Sequence, residues 1–396
     1  MHPLKTQKEP IALAQKVVMI VLGITFFLFA ISLMGHAFKL LAAGTARQIL
    51  EVTANPFISL FIGLLITAII QSSSSTTSMV VAAVAAGSLS MQNAVPMIMG
   101  ANIGTTLTST LVSLGFIAKK KEFKKAIAAG TVHDFFNIMV TLILLPLELY
   151  FGVLSSVARS IGELIVPFSG FDSSDSFTYG FWHDLAPVQW VVDTVKHTWI
   201  VLIVAFVLLF ASIKVLANAI YGLFIGSFRS DFEKILFATP LKAFGWGTLI
   251  TATVQSSSVT TPLVVPLVAT GKISLRKSFP YILGANLGTT FTALLAALFH
   301  SNAAISIAMV HVLFNLFGVL LFFPFGAIRK IPIRLARRMG RITSRHRLIG
   351  FLYILITFFL LPFALIYFAE RQQDTPPPTQ QESSLGPAPA AGDISK

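Results

Sequence analysis

Two short blocks carry most of the chemistry in this sequence. QSSSS (71–75) and QSSSV (255–259) each interrupt an apolar run with a row of hydroxyls. Irregular backbone at membrane depth survives only where it lines a polar cavity. Ser and Thr are natural N-caps for a helix that begins within each block. A helix N-terminus offers free N–H groups and partial positive charge, which suits an anion. Serine hydroxyls (Ser72, Ser73 and Ser74; Ser256, Ser257 and Ser258) add donors without adding charge. Small-residue helix packing with hydroxyl cross-links is the structural alternative. The block occurs twice, which favours a ligand site.

A second pair of motifs is GANIGTT (100–106) and GANLGTT (284–290). Their G-x-x-x-G spacing suits close helix packing. That packing does not account for Asn102 with Thr105 and Thr106, or for Asn286 with Thr289 and Thr290. In a broken helix these oxygens suit a small hard cation. Neither is a phosphate-cradling P-loop, because no Lys follows the last glycine. A third pair is H-x-x-F-N, at His133–Asn137 and His311–Asn315. Within it, Asp134 lies nine residues past Lys125, roughly 13 Å along a helix and near the membrane midplane. An intramembrane acid is a functional residue by default, and Asp134 is expected to complete a cation site with Asn137. The alternative is a structural Asp paired with His133 or water. The second copy has Val312 there, so the halves are not chemically equivalent. His133 and His311 are candidates for substrate contact or proton transfer, and equally for hydrogen-bonded packing.

The elements that must hold these residues are membrane helices. Of 396 residues, 55% are hydrophobic and 11% charged, against about 25% charged in an ordinary soluble domain. Mean hydropathy is +0.80. Apolar runs of about 20 residues recur, the length of a spanning helix. Soluble globular, disordered and disulfide-stapled secreted classes are excluded. With no cysteine, so are disulfides, thiolate metal sites and thiol nucleophiles.

Net charge is +13, and 22 of the 29 cations fall in five clusters. These are the N-terminal arm (Lys5, Lys8, Lys16), the run 119–125, Arg229 with Lys234 and Lys242, Lys272 with Arg276 and Lys277, and 329–347. Flanking apolar spans make them topology signals facing the cytoplasm rather than nucleic-acid sites. Segment 160–195 has five acids (Glu163, Asp172, Asp175, Asp184, Asp193) and no Lys or Arg, so it is expected outside. Glu148, at a span end, reads as interfacial.

The motifs recur in the same order. Gln71 and Gln255, like Asn102 and Asn286, are 184 residues apart, and His133 and His311 are 178 apart. Internal repeats in a polytopic protein mark transporters. The charge clusters make the copies run in opposite directions, and the Gln71 and Gln255 segments must then be re-entrant. The expected fold is all-α and polytopic. It has two inverted-topology repeats, each with a re-entrant helical hairpin and a broken helix meeting near the midplane, and about seven crossings. The expected divisions are 1–54, arm and first helix; 55–148, repeat 1; 149–242, external loop, linking helix and cytoplasmic segment; 243–326, repeat 2; 327–370, basic segment and last helix; and 371–396, a disordered Pro-rich tail. The N-terminus is expected inside and the tail outside.

Residues 52–118 and 278–328 contain no Asp, Glu, Lys or Arg. An uncompensated anion in low dielectric costs far more than two helix dipoles return. Co-bound cations are the remaining counter-charge, so the pattern reads as cation–anion symport, with a neutral solute as the competing cargo.

These residues resemble the type II sodium-dependent phosphate cotransporters. The paired QSSS blocks, the two GAN motifs, EFKKAIAAGTVHDFFN (122–137) and PIRLARRMGRITSRHRLIGFLYILITFFLLP (332–362) carry the likeness over roughly residues 10–370. The resemblance implies sodium-driven import of inorganic phosphate by alternating access, without an organic cofactor. It implies phosphate at the six serines, with Gln71, Gln255, Thr76 and Thr260 joining the sodium ligands. An acid at the Asp134 position marks that family's electrogenic members. The short, cysteine-free link between halves suggests a bacterial inner-membrane protein. The monomer is the expected functional unit, with a homodimer as the alternative assembly. The same fold with another oxyanion or a neutral solute, proton-driven through His133, is the second reading. An intramembrane serine hydrolase is a third, and the lack of a G-x-S-x-G elbow argues against it.

Overall fold

The computed structural model describes residues 15–37 (except 16, 28, 31 and 35), 55–165, 186–195, 197–224, 236–297 and 302–373. The expectations for the N-terminal arm, for Asp172, Asp175 and Asp184, for Arg229 and Lys234, and for the tail beyond residue 373 lie outside them. Among the described residues there is no strand. Among them, four helices are long and apolar enough to cross a membrane: 17–34, 120–151, 302–322 and 348–368.

Each QSSS block ends one helix and starts the next, through one shared backbone device. Helix α1 (Pro56–Ile70) is opened by Asn55, whose side chain accepts from the Phe57 N–H, with Pro56 in the first turn. It closes at Gln71, in the left-handed region at φ 56°. Ser72 is then extended, at φ −145°, and caps α2 (Ser73–Ala85). In the second copy Thr239 and Pro240 open α3 (Pro240–Val254), Gln255 closes it at φ 56°, and Ser256 is extended at φ −151°. Among the described residues, Gln71 and Gln255 are the non-glycines at positive φ. Such a conformation is uncommon for a side chain of this size. A hydroxyl pair staples each break: Thr67 to Thr76 at 2.9 Å, and Thr251 to Thr260 at 2.6 Å.

The arms beyond the breaks differ. Helix α2 runs unbroken. The second arm is a short turn, Ser257–Thr260, then α4 (Val264–Thr270). Pro262 accounts for the gap, since proline has no N–H to donate and its ring crowds the preceding turn.

The GAN motifs lie on α5 (Met91–Gly104) and α6 (Leu275–Ala297). The expectation of a broken helix in both copies needs correction. In the first, a turn at Thr105 and Thr106 separates α5 from α7 (Leu107–Leu114), with the Thr106 N–H bonded to the Ile103 carbonyl. In the second, α6 runs through its motif without interruption. The glycines here serve close approach. Helix α1 packs along α5, and α3 along α6. A Cβ on Gly100 would overlap the Leu60 carbonyl, and one on Gly284 the Phe244 carbonyl. The helix is retained because its backbone bonds stay intact while a neighbour's backbone fills the space a side chain would need.

The H-x-x-F-N motifs lie on α8 (Lys120–Phe151) and α9 (Asn302–Phe322). These helices interlock the copies: α9 packs on α2, and α8 on α4. The basic helix α10 (Gly326–Arg345) lies against α8, and α11 (Leu348–Leu355) passes through a π-helical turn, 356–360, into the last helix. Glu148, three residues from the end of α8, is buried within the protein. Its Oε2 accepts from the Leu154 N–H at 2.7 Å and the Ser155 N–H at 3.2 Å, capping the helix Val153–Ile165.

Gly100→Ala and Gly284→Ala should each destabilise the purified protein by about 1–3 kcal/mol through overpacking. A thermal melt in detergent measures this. Unchanged melting in both would mean that the helices have room to part.

Candidate functional site

The two QSSS blocks meet. Ser74 Oγ of the first donates to the Gln255 carbonyl of the second at 3.0 Å, and Ser109 and Thr261 share a hydroxyl bond at 3.1 Å. The start of α2 is satisfied locally: Ser72 Oγ accepts from the Ser75 N–H at 3.2 Å and lies 2.9 Å from Ser75 Oγ. Ser256 makes no such cap. Gln71 is exposed, whereas Gln255 is 2% exposed. Ser73, Ser74 and Ser257 are buried; Ser72, Ser256 and Ser258 are half-buried. Two buried polar atoms in the second block have no partner, Gln255 Oε1 and Ser257 Oγ. Unsatisfied buried groups are costly and call for a ligand or water.

The GAN and H-x-x-F-N motifs form one cross-copy network beside the blocks. His133 Nε2 of the first copy meets Asn286 Oδ1 of the second at 3.1 Å. Reciprocally, His311 Nε2 meets Asn102 Oδ1 at 3.2 Å. Asn286 Nδ2 donates to Asn137 Oδ1 at 2.9 Å and to Asn315 Oδ1 at 2.8 Å. Asn137 Nδ2 donates to the Asn102 carbonyl at 2.6 Å and lies 3.2 Å from His133 Nε2. That nitrogen can donate to Asn286 or accept from Asn137, not both at once. His133, Asn137 and His311 are fully buried.

The threonines proposed from sequence are committed to the scaffold. Thr76 and Thr260 carry the staples and also donate to the Ser72 and Ser256 carbonyls. Thr105, Thr106, Thr289 and Thr290 donate to carbonyls of their own helices.

Asp134 does not join Asn137. Asp134 lies about 100° round the helix from His133 and about 60° from Asn137, and its hydrogen bonds go to residues outside the network. Its Oδ2 accepts from Thr110 at 3.0 Å and from Tyr353 at 2.8 Å, while Oδ1 is buried without a partner. Sequence reasoning missed Thr110, Tyr353 and the Asn315 contact. A phenol inside the apolar run 348–368 was the available signal for Tyr353. Among the described residues no Lys or Arg is buried, and no cluster of three His, Asp or Glu forms a metal centre.

The Na+/Pi-cotransporter family model matches residues 26–171 and 208–360. The rabbit (Oryctolagus cuniculus) sodium-dependent phosphate transport protein 2A is 30% identical, over 88% of this chain and 66% of its own length. The sheep (Ovis aries) protein of that name is 31% identical, over 85% and 65%. The human sodium-dependent phosphate transport protein 2B is 29% identical, over 86% and 63%. The chain thus spans just under two thirds of the length of these relatives. No solved structure matches it significantly.

Asn286→Leu removes three side-chain hydrogen bonds and strands His133, Asn137 and Asn315. It should cost about 1–3 kcal/mol for each group left unsatisfied. The melting temperature should fall well below that of Asn93→Leu, a substitution outside the network; equal melting of the two variants would contradict the assignment.

Proposed function

This chain belongs to the Na+/Pi-cotransporter family, and from that premise we propose that it is a sodium-coupled symporter importing inorganic phosphate by alternating access. One observation carries the reading. Two helix starts converge in an interior where, among the described residues, no Lys or Arg is buried, and one of them holds unpartnered donor and acceptor groups on Ser257 and Gln255. Serine hydroxyls and helix N–H groups would hold the phosphate. Sodium ions bound alongside would supply the missing positive charge.

Ser73, Ser74, Ser257 and the half-buried Ser72, Ser256 and Ser258 are the proposed phosphate contacts. Gln71, Gln255, Asn102, Asn286 and Asn137 are proposed to offer carbonyl oxygens to sodium. Thr76, Thr105, Thr106, Thr260, Thr289 and Thr290 would offer hydroxyl oxygens, which keep a lone pair free while the O–H donates to a backbone carbonyl. Asp134 presents a free carboxylate oxygen for a separate sodium and is the proposed origin of net charge movement. The repeats are proposed to be inverted, each Gln71- and Gln255-type break being the tip of a re-entrant hairpin. The identical backbone break at an offset of 184 residues supports this. The difference between exposed Gln71 and buried Gln255 supports a state open on one side only. The proposed setting is a bacterial inner membrane, with the N-terminus cytoplasmic.

In proteoliposomes, phosphate uptake should require sodium and fall to background in choline. Ser257→Ala should weaken apparent phosphate affinity by about tenfold or more, the loss of one hydrogen bond to a charged group. Uptake as fast in choline as in sodium would reject the reading. Asp134→Gly should reduce or abolish the transport current while uptake persists; an unchanged current would remove Asp134 from the proposed charge-carrying site.

A further inference from the structure

Six cations from two helices line a cavity of about 840 Å³, away from the QSSS blocks. Lys121, Lys124 and Lys125 come from the first turns of α8, and Arg334, Arg337 and Arg341 from α10. The third wall is the turn 271–275, which closes the second QSSS arm. Lys125 reaches over that turn: a Cβ on Gly271 would lie 3.0 Å from its Nζ. Among the described residues no acid lines the cavity. The ion pair Lys119–Glu122 lies outside this set.

A topology signal needs cations on one side of the membrane, in any arrangement. This arrangement is more demanding. Positions 334, 337 and 341 share one face of α10, and positions 121, 124 and 125 share one face of α8. Like charges at these spacings repel along each helix, and the two rows also repel across the gap. Apolar Ala128, Val268 and Ile273 between them lower the local dielectric. A multivalent anion removes this repulsion, and a basic pocket between membrane helices is suited to phosphorylated headgroups.

We infer that this cavity binds clustered phosphate groups, carried either by a soluble polyphosphate or by an anionic lipid headgroup. Arg guanidinium groups give bidentate contacts and the lysines give point charges. An occupant ties the turn 271–275 to α8 and α10. The site is separate from the QSSS centre, so the inference does not depend on the transport reading.

The test uses purified full-length protein. Sodium tripolyphosphate is titrated calorimetrically into protein in neutral detergent. In parallel, cardiolipin, whose headgroup carries two phosphates, retained after exchange into phosphatidylcholine nanodiscs is measured by mass spectrometry. The triple variant Arg334→Gln, Arg337→Gln, Arg341→Gln should weaken tripolyphosphate binding about tenfold or more, or lose the retained cardiolipin. The first result assigns a soluble ligand and the second a lipid. The triple variant Lys121→Gln, Lys124→Gln, Lys125→Gln, from the opposite wall, should show the same loss and serves if the arginine variant does not fold. Neither ligand binding the wild type, or binding abolished by Ser257→Ala but not by the wall variants, would overturn the inference.

Discussion

An anion carried into this protein's interior meets no fixed positive charge. Among the described residues no lysine or arginine is buried, and the stretches 52–118 and 278–328 hold no charged residue at all. Hydroxyls and helix N-termini can orient a phosphate, but their partial charges fall short of the desolvation cost of a full anion. Metal ions taken up with the anion would close the gap. The proposed coupling therefore needs no separate linkage device, because each ion makes the burial of the other tolerable.

The same constraint gives meaning to the network between the copies. His133 reaches Asn286, and His311 reaches Asn102, so each copy's histidine is held by the other copy's GAN motif. Displacing one copy against the other must break or exchange these bonds. A buried network favours discrete arrangements over continuous deformation, which suits the proposed alternating access. In that cycle the glycine contacts of α1 with α5 and of α3 with α6 would hold each copy together while bonds between copies exchange.

Much of this was legible in the sequence, for identifiable reasons. The hydroxyl runs at Gln71 and Gln255 marked the helix breaks, since Ser72 is a natural cap and the run occurs at matching places in both copies. The spacing of His133 and Asn137 placed them on one face. The GAN motifs misled in part. Their glycines read as a break, with packing as the alternative; the facing carbonyls of Leu60 and Phe244 show packing in both copies, and a break follows only in the first. The surroundings of Asp134 were not legible, because Tyr353 is 219 residues away and belongs to neither repeat. The unequal arms follow from Pro262, which stands where the first copy has Ser78.

Equilibrium binding of radiolabelled phosphate to the purified protein, in media that differ only in the alkali cation, addresses the electrostatic claim without any vesicle or gradient. The account predicts saturable binding in sodium that disappears when sodium is replaced by a bulky organic cation. Equal affinity in both media would show that the protein neutralises its anion unaided, and would contradict the account.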